Sequence, residues 1–213
     1  MAIRSALLWR KVEGVLANGL ADLAEPRTAG RGGSISCFGD SLTAGGYPAI
    51  LSTYLRAPVL NRGVGGETST QIADRFTPEA ETCVLWMGNN NFYEPAVVVA
   101  DIGRCVGACM PAGVDYRVVG LVIGDFDGRQ RGQAGNDQIM ACNAELSAIY
   151  RDKFIDLRQV LIAAAVRSDN EDLAANVLPR SLRVDGIHLN RYANVIVARA
   201  VARHLAEAAT AVV

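Results

Sequence analysis

The sequence predicts an α/β protein, a three-layer α/β/α sandwich around a parallel sheet. Short runs that are apolar on both faces, such as Thr82–Trp86, suit strands covered by helices on both sides. Segments with helical spacing alternate with those runs. Polar residues follow successive strand ends, where ligands lie in open parallel sheets. Gly39-Asp40-Ser41 follows the first, Asn61 to Ser69 the second, Gly88-Asn89-Asn90-Asn91 the third and Asp125-Phe126-Asp127 the fourth.

Taken in order, the chain opens with polar and apolar residues at helical spacing up to about Leu23. This predicts an amphipathic helix packed on the domain or on a partner. Charge interrupts its apolar run too early for a secretory leader, and Glu13, Asp22 and Glu25 argue against a transit peptide. Pro26 to Gly33 is rich in chain breakers and reads as a linker. Residues 1–30 are therefore expected to be a helix and linker, and residues 31–213 one domain. Within that domain Ser34–Phe38 is a short strand and Tyr47–Arg56 a helix. Pro58–Asn61 is a brief strand, Thr68–Phe76 a short helix and Thr82–Trp86 a strand. Pro95–Met110 is a helix and Tyr116–Ile123 the longest β-branched run. Asn136–Arg151 is a helix and Phe154–Leu157 a strand, with Asp156–Ala165 open between strand and helix. Leu189–Ala209 closes the chain as a helix, with Asn190 suited to cap it.

At 213 residues the chain can bury a substantial core. Half its residues are hydrophobic and the formal net charge is -1, so nothing draws it to nucleic acid or an anionic membrane. No apolar run reaches the length of a membrane span. Five cysteines cannot all pair. Cys37 and Cys83 fall in strands, and Cys105 and Cys109 lie one helical turn apart without further ligands at zinc spacing. They read as small apolar residues in a reducing, cytoplasmic compartment. No metal or cofactor is expected, and the N-terminal helix offers an element for oligomerisation.

The chemistry concentrates at two points. Ser41 stands at a strand-to-helix turn, with Gly39 before it and Gly45-Gly46 after it. A helix N-cap would account for Gly-Asp-Ser equally well. Asp185-Gly186-Ile187-His188 supplies an acid and an imidazole, and Gly186 favours the turn that lets them meet. A serine hydroxyl is a poor nucleophile until an oriented base takes its proton, and a carboxylate can fix the imidazole tautomer for that task. The chain has two histidines, and His204 lies mid-helix beside Arg203 and Glu207, a packing or solvated position. Acyl transfer also needs donors for the oxyanion. The Ser41 N–H, a glycine N–H within Asn61–Ser69 and the Asn89 side-chain amide are available at neighbouring strand ends.

Gly39-Asp40-Ser41-Leu42, Asn61…Gly66-Glu67-Thr68-Ser69, Gly88-Asn89 and Asp185-Gly186-Ile187-His188-Leu189 resemble, in order, the four sequence blocks of the SGNH (GDSL-type) hydrolase superfamily. The resemblance implies a flavodoxin-like sheet of about five parallel strands and metal-free hydrolysis of carboxylic esters or thioesters. It implies Ser41 as nucleophile, His188 as base and Asp185 as its orienter. It implies an oxyanion hole of the Ser41 and Gly66 N–H groups and the Asn89 amide, with Gly65 and Asn90 the neighbouring registers. The third block departs from the family in carrying Asn90 where an acid is usual. The partner implied is a small-molecule ester.

Two rival readings come from other residues. Leu121-Val122-Ile123-Gly124-Asp125-Phe126-Asp127-Gly128 resembles the opening of haloacid-dehalogenase-type phosphotransferases, in which Asp125 would be nucleophile and Asp127 acid with magnesium. The other is a non-catalytic ligand-binding domain. Asp125–Asp137, with Arg129 and Arg131, is either a pocket border favouring anionic substrates or a solvated loop. Arg167–Arg183 is either a movable cover or a static connection.

Overall fold

The computed structural model describes residues 33–210. The expected N-terminal helix, its linker and any oligomer contact they would make lie outside the described residues.

Five strands, β1 (Ile35–Gly39), β2 (Val59–Gly63), β3 (Thr82–Trp86), β4 (Asp115–Val119) and β5 (Phe154–Ile155), form one sheet in the order β2-β1-β3-β4-β5. All four pairings are parallel. The direction of winding reverses between β1 and β3, which opens a crevice beyond their carboxyl ends. Eight α-helices are described: α1 (Ser41–Ala44), α2 (Tyr47–Leu55), α3 (Ser69–Asp74), α4 (Pro95–Cys109), α5 (Ala134–Tyr150), α6 (Leu157–Ala163), α7 (Asn170–Ala175) and α8 (Arg191–Thr210).

Strand side chains alternate between two cores, as a doubly covered sheet requires. Ile35, Cys37, Val84, Trp86, Val119 and Ile155 face the layer of α2, α6 and α8, against Leu51, Leu161 and Val197. Phe38, Cys83, Leu85, Val118 and Phe154 face α3, α4 and α5, against Ile72, Ile102 and Leu146. All five cysteines are free and buried, Cys105 and Cys109 among them, so they serve the core as small apolar side chains.

Three expected elements differ in type or extent. The run Tyr116–Ile123 alternates between the cores with a change of phase at Gly120: Val118, Leu121 and Ile123 face one core, and Val119 and Val122 the other. Its ladder nevertheless ends at Val119, because β5 contributes only two residues. Side chains replace the missing strand. Asn143 accepts from Leu121 N (2.8 Å) and donates to Leu121 O (2.8 Å), and Asn89 Oδ1 accepts from Val122 N (3.1 Å). The ambiguous stretch after β5 is helix α6, capped by Asp156, whose carboxylate accepts from Gln159 N (3.0 Å). The closing helix begins at Arg191 rather than Leu189, and Asn190 Oδ1 accepts from Ala193 N (3.0 Å), the N-cap geometry expected of it.

Candidate active site

Ser41 is the first residue of α1, immediately after β1. The turn is forced by close packing at Gly39, where a Cβ would fall 2.3 Å from Trp86 O and 2.1 Å from Thr43 Oγ1. Only glycine lets the chain pass there. Asp40 caps α1, its Oδ1 accepting from Leu42 N at 2.9 Å. The capping alternative from sequence is therefore met by Asp40, which leaves the Ser41 hydroxyl free.

That hydroxyl lies 2.9 Å from His188 Nε2, and His188 Nδ1 lies 2.7 Å from Asp185 Oδ2. A carboxylate only accepts, so Nδ1 carries the ring proton and Nε2 accepts from Ser41. Asp185 also closes its own turn, its Oδ1 accepting from Ile187 N and His188 N, both at 2.8 Å. Those two backbone donors, with the imidazole, hold its carboxyl down at about 2. A depressed carboxyl pKa adds stability above the unfolded value that is lost as pH falls through the folded one. With 52% of its side chain exposed, solvent screens most of that contribution. The charge matters more for the imidazolium beside it.

The candidate donors follow neighbouring strand ends. Asn89 is buried, and accepting from Val122 N fixes its amide plane. Its Nδ2 is buried without a hydrogen-bond partner, so one directional donor stands unused. Asn90, the neighbouring register, is engaged elsewhere, donating to Glu67 O at 2.9 Å. Gly66 adopts φ 80°, a conformation that favours glycine, in the loop joining β2 to α3. In the same loop a Cβ on Gly65 would come 3.9 Å from Ser41 Cβ, so this loop borders the serine. His204 takes no part in the cluster; it lies half-buried beside Phe154 at the sheet edge, where burial lowers its pKa.

Several supporting residues carry no signal in the sequence. Arg75 donates to Glu67 Oε2 (2.7 Å), Gly39 O (3.2 Å) and Arg62 O (2.8 Å), tying the Gly66 loop to the turn before Ser41. Buried Asp101 accepts from Ser69 and Thr70 hydroxyls, both at 2.7 Å. Asn91 bonds Ser69 N (3.0 Å) and Oγ (2.9 Å). These bonds join the loops that carry Gly66 and Asn89. Arg183 does the same for the histidine turn. It donates to Asp185 O (2.9 Å), Leu178 O (2.9 Å) and Asp125 Oδ2 (2.9 Å).

The Asp125 carboxylate thus anchors the histidine turn through Arg183. Arg167–Arg183 is tied together by buried carboxylates. Fully buried Asp169 accepts from Ser181 N (3.0 Å), Ser181 Oγ (2.6 Å) and Val166 N (2.8 Å), and Asp172 takes Arg180 and Arg183.

Asp40 supplies a test of the site's electrostatics. Burial pushes its carboxyl up to about 6, against the Leu42 N–H and the nearby His188 ring. A raised acid pKa means the native state binds the proton more tightly than the unfolded chain. Stability therefore falls as pH rises from the unfolded value of 3.8 through about 6. Asparagine keeps an N-cap acceptor and cannot ionise. Asp40→Asn is expected to melt above wild type at about pH 8, with the gap closing near pH 4. Calorimetry at both values checks this, and a variant that melts below wild type at the higher pH contradicts it.

The family model of the GDSL-like lipase/acylhydrolase family matches residues 37–194. No curated protein matches the chain at a significant level. Among solved structures, a GDSL-like lipase from Bacteroides thetaiotaomicron is 17% identical with a TM-score of 0.66, the match covering 90% of this chain and 96% of that one. The acetyl xylan esterase AlAXEase is 18% identical with a TM-score of 0.62, covering 79% and 97%. A catalytic mutant of Axe2, an acetylxylan esterase from Geobacillus stearothermophilus, is 16% identical with a TM-score of 0.61, covering 82% and 94%. At such identities these likenesses speak for the fold.

Proposed function

Since the chain belongs to the GDSL-like lipase/acylhydrolase family, we propose that it hydrolyses carboxylic esters or thioesters through an acyl-enzyme on Ser41. The observation that carries this reading is the continuous relay from Ser41 Oγ through His188 to Asp185, with links of 2.9 and 2.7 Å.

Ser41 Oγ attacks the acyl carbon as His188 Nε2 takes its proton. The carbonyl electrons move onto oxygen, where the Ser41 and Gly66 N–H groups and Asn89 Nδ2 donate to the oxyanion. The intermediate collapses, the acyl C–O or C–S bond breaks, and His188 returns the proton to the departing alkoxide or thiolate. Water then repeats the sequence on the acyl-enzyme, releasing the acid and restoring Ser41. Asp185 stays ionised throughout and stabilises the imidazolium. Asn89 is suited to its part because its unused Nδ2 is already desolvated and oriented, so it reorganises little as charge develops.

Purified protein is expected to cleave p-nitrophenyl esters of short acids without added metal, and Asn89→Ala is expected to lower kcat by about 10²–10³. A panel of rising acyl chain length, extended to acetylated sugars and acyl-CoA, reads out both activity and preference. Failure of every ester and thioester tested would overturn the reading in favour of a non-catalytic binding domain.

A further inference from the structure

Beyond the end of β4, the segment Asp125–Gln133 holds an aromatic clamp on a cation. The guanidinium carbon of Arg129 lies 4.1 Å from the ring centroid of Phe92 and 4.9 Å from that of Phe126. Phe92 comes from the loop that carries Asn89. Phe126 packs on the histidine turn so closely that a Cβ on Gly186 would lie 2.5 Å from its Cε1. The clamp therefore joins the two loops that bring Asn89 and His188 to the crevice.

Arg129 differs from the other arginines around it. Arg131 spends its Nε on Ala174 O (2.8 Å), and Arg183 is bonded on every side. Among the described residues the Arg129 guanidinium has no hydrogen bond and no ion pair. Of the two acids just before it, Asp125 is already held by Arg183, and Asp127 makes no ion pair with Arg129. Half-burial without a counter-ion lowers the Arg129 pKa. The guanidinium carbon lies over both rings, and its N–H groups, without acceptors among the described residues, are available to a carboxylate in a bidentate fork. A cation kept partly desolvated without a partner is costly unless a ligand supplies the charge.

Resting on the hydrolase reading above, we propose that Arg129, held between Phe92 and Phe126, is a specificity site for a carboxylate carried by the ester substrate. Two matched pairs locate that carboxylate. p-Nitrophenyl valerate and the p-nitrophenyl monoester of glutaric acid differ by a carboxylate on the acyl side. Phenyl acetate and 4-acetoxybenzoate differ by one on the alcohol side.

In one pair, wild type is expected to favour the charged ester. Arg129→Met should reduce the charged-to-neutral ratio of kcat/KM by roughly tenfold or more, and Arg129→Lys by less, since it keeps the charge and loses the fork. A ratio unchanged by Arg129→Met in both pairs, or wild-type discrimination against charge in both, overturns the proposal. Calorimetric titration of Ser41→Ala with glutarate and with 4-hydroxybenzoate separates the two claims. Binding of one anion that Arg129→Met weakens supports the site even if no ester is turned over, whereas active enzyme with anion binding indifferent to Arg129 sinks the site alone.

Discussion

Ser41→Ala is expected to lower kcat on short p-nitrophenyl esters by about 10⁶-fold, to the level set by the oxyanion donors and binding alone. The substitution removes one atom, and that atom's hydrogen bond in the structure is to His188 Nε2. The Asp40 cap, the Gly39 packing and the backbone N–H of residue 41 remain. Thermal stability should therefore stay within about 0.5 kcal/mol of wild type, as for substitutions away from core and caps. Loss of turnover with an unchanged melting curve assigns the effect to chemistry. Retained esterase activity in the purified variant removes Ser41 from the mechanism.

The second large effect is expected at His188. His188→Ala should cost a similar factor, about 10⁶, because a serine without its base is not ionised at neutral pH. The pair acts as one unit, so the Ser41→Ala, His188→Ala double variant should lie close to either single variant. Multiplying losses would mean that the two side chains contribute separately, and the 2.9 Å contact between them would then have no catalytic meaning. Single-turnover kinetics on the four proteins reads the cycle directly.

The layering was legible in the sequence because β-branched runs and helical spacing alternate along most of the chain. Thr82–Trp86 is observed with the bounds its pattern predicts. Two short helices were not legible. α1 and α7 span four and six residues, too few for a helical period, and their caps matter more than their pattern. The end of β4 was hidden for another reason. Residues 121–123 read as strand by composition, yet the brevity of β5 and a change of phase at Gly120 end the ladder, and the amides of Asn143 and Asn89 take up the freed backbone groups.

The candidate site divides in the same way. Ser41, Asp185 and His188 stand in short blocks whose residue types announce their chemistry, so sequence could nominate them. Arg183, Arg75 and Asp101 could not be nominated. Their partners are distant in sequence, as in Arg183 with Asp125, 58 residues away, and Arg75 with Gly39, 36 away. Nothing local distinguishes such an arginine from a solvated one. Arg129 and Arg131 show the same limit. Both sit in one glycine-rich segment, yet one is spent on backbone carbonyls and the other is stacked between rings with its donors open.

The relay is tested most directly by treating the folded protein with a fluorophosphonate and mapping the modified peptide by mass spectrometry. A serine activated by His188 is expected to be phosphonylated stoichiometrically at Ser41, and His188→Ala should abolish the label. Native protein that stays unmodified, or carries the label on another residue, would contradict the account.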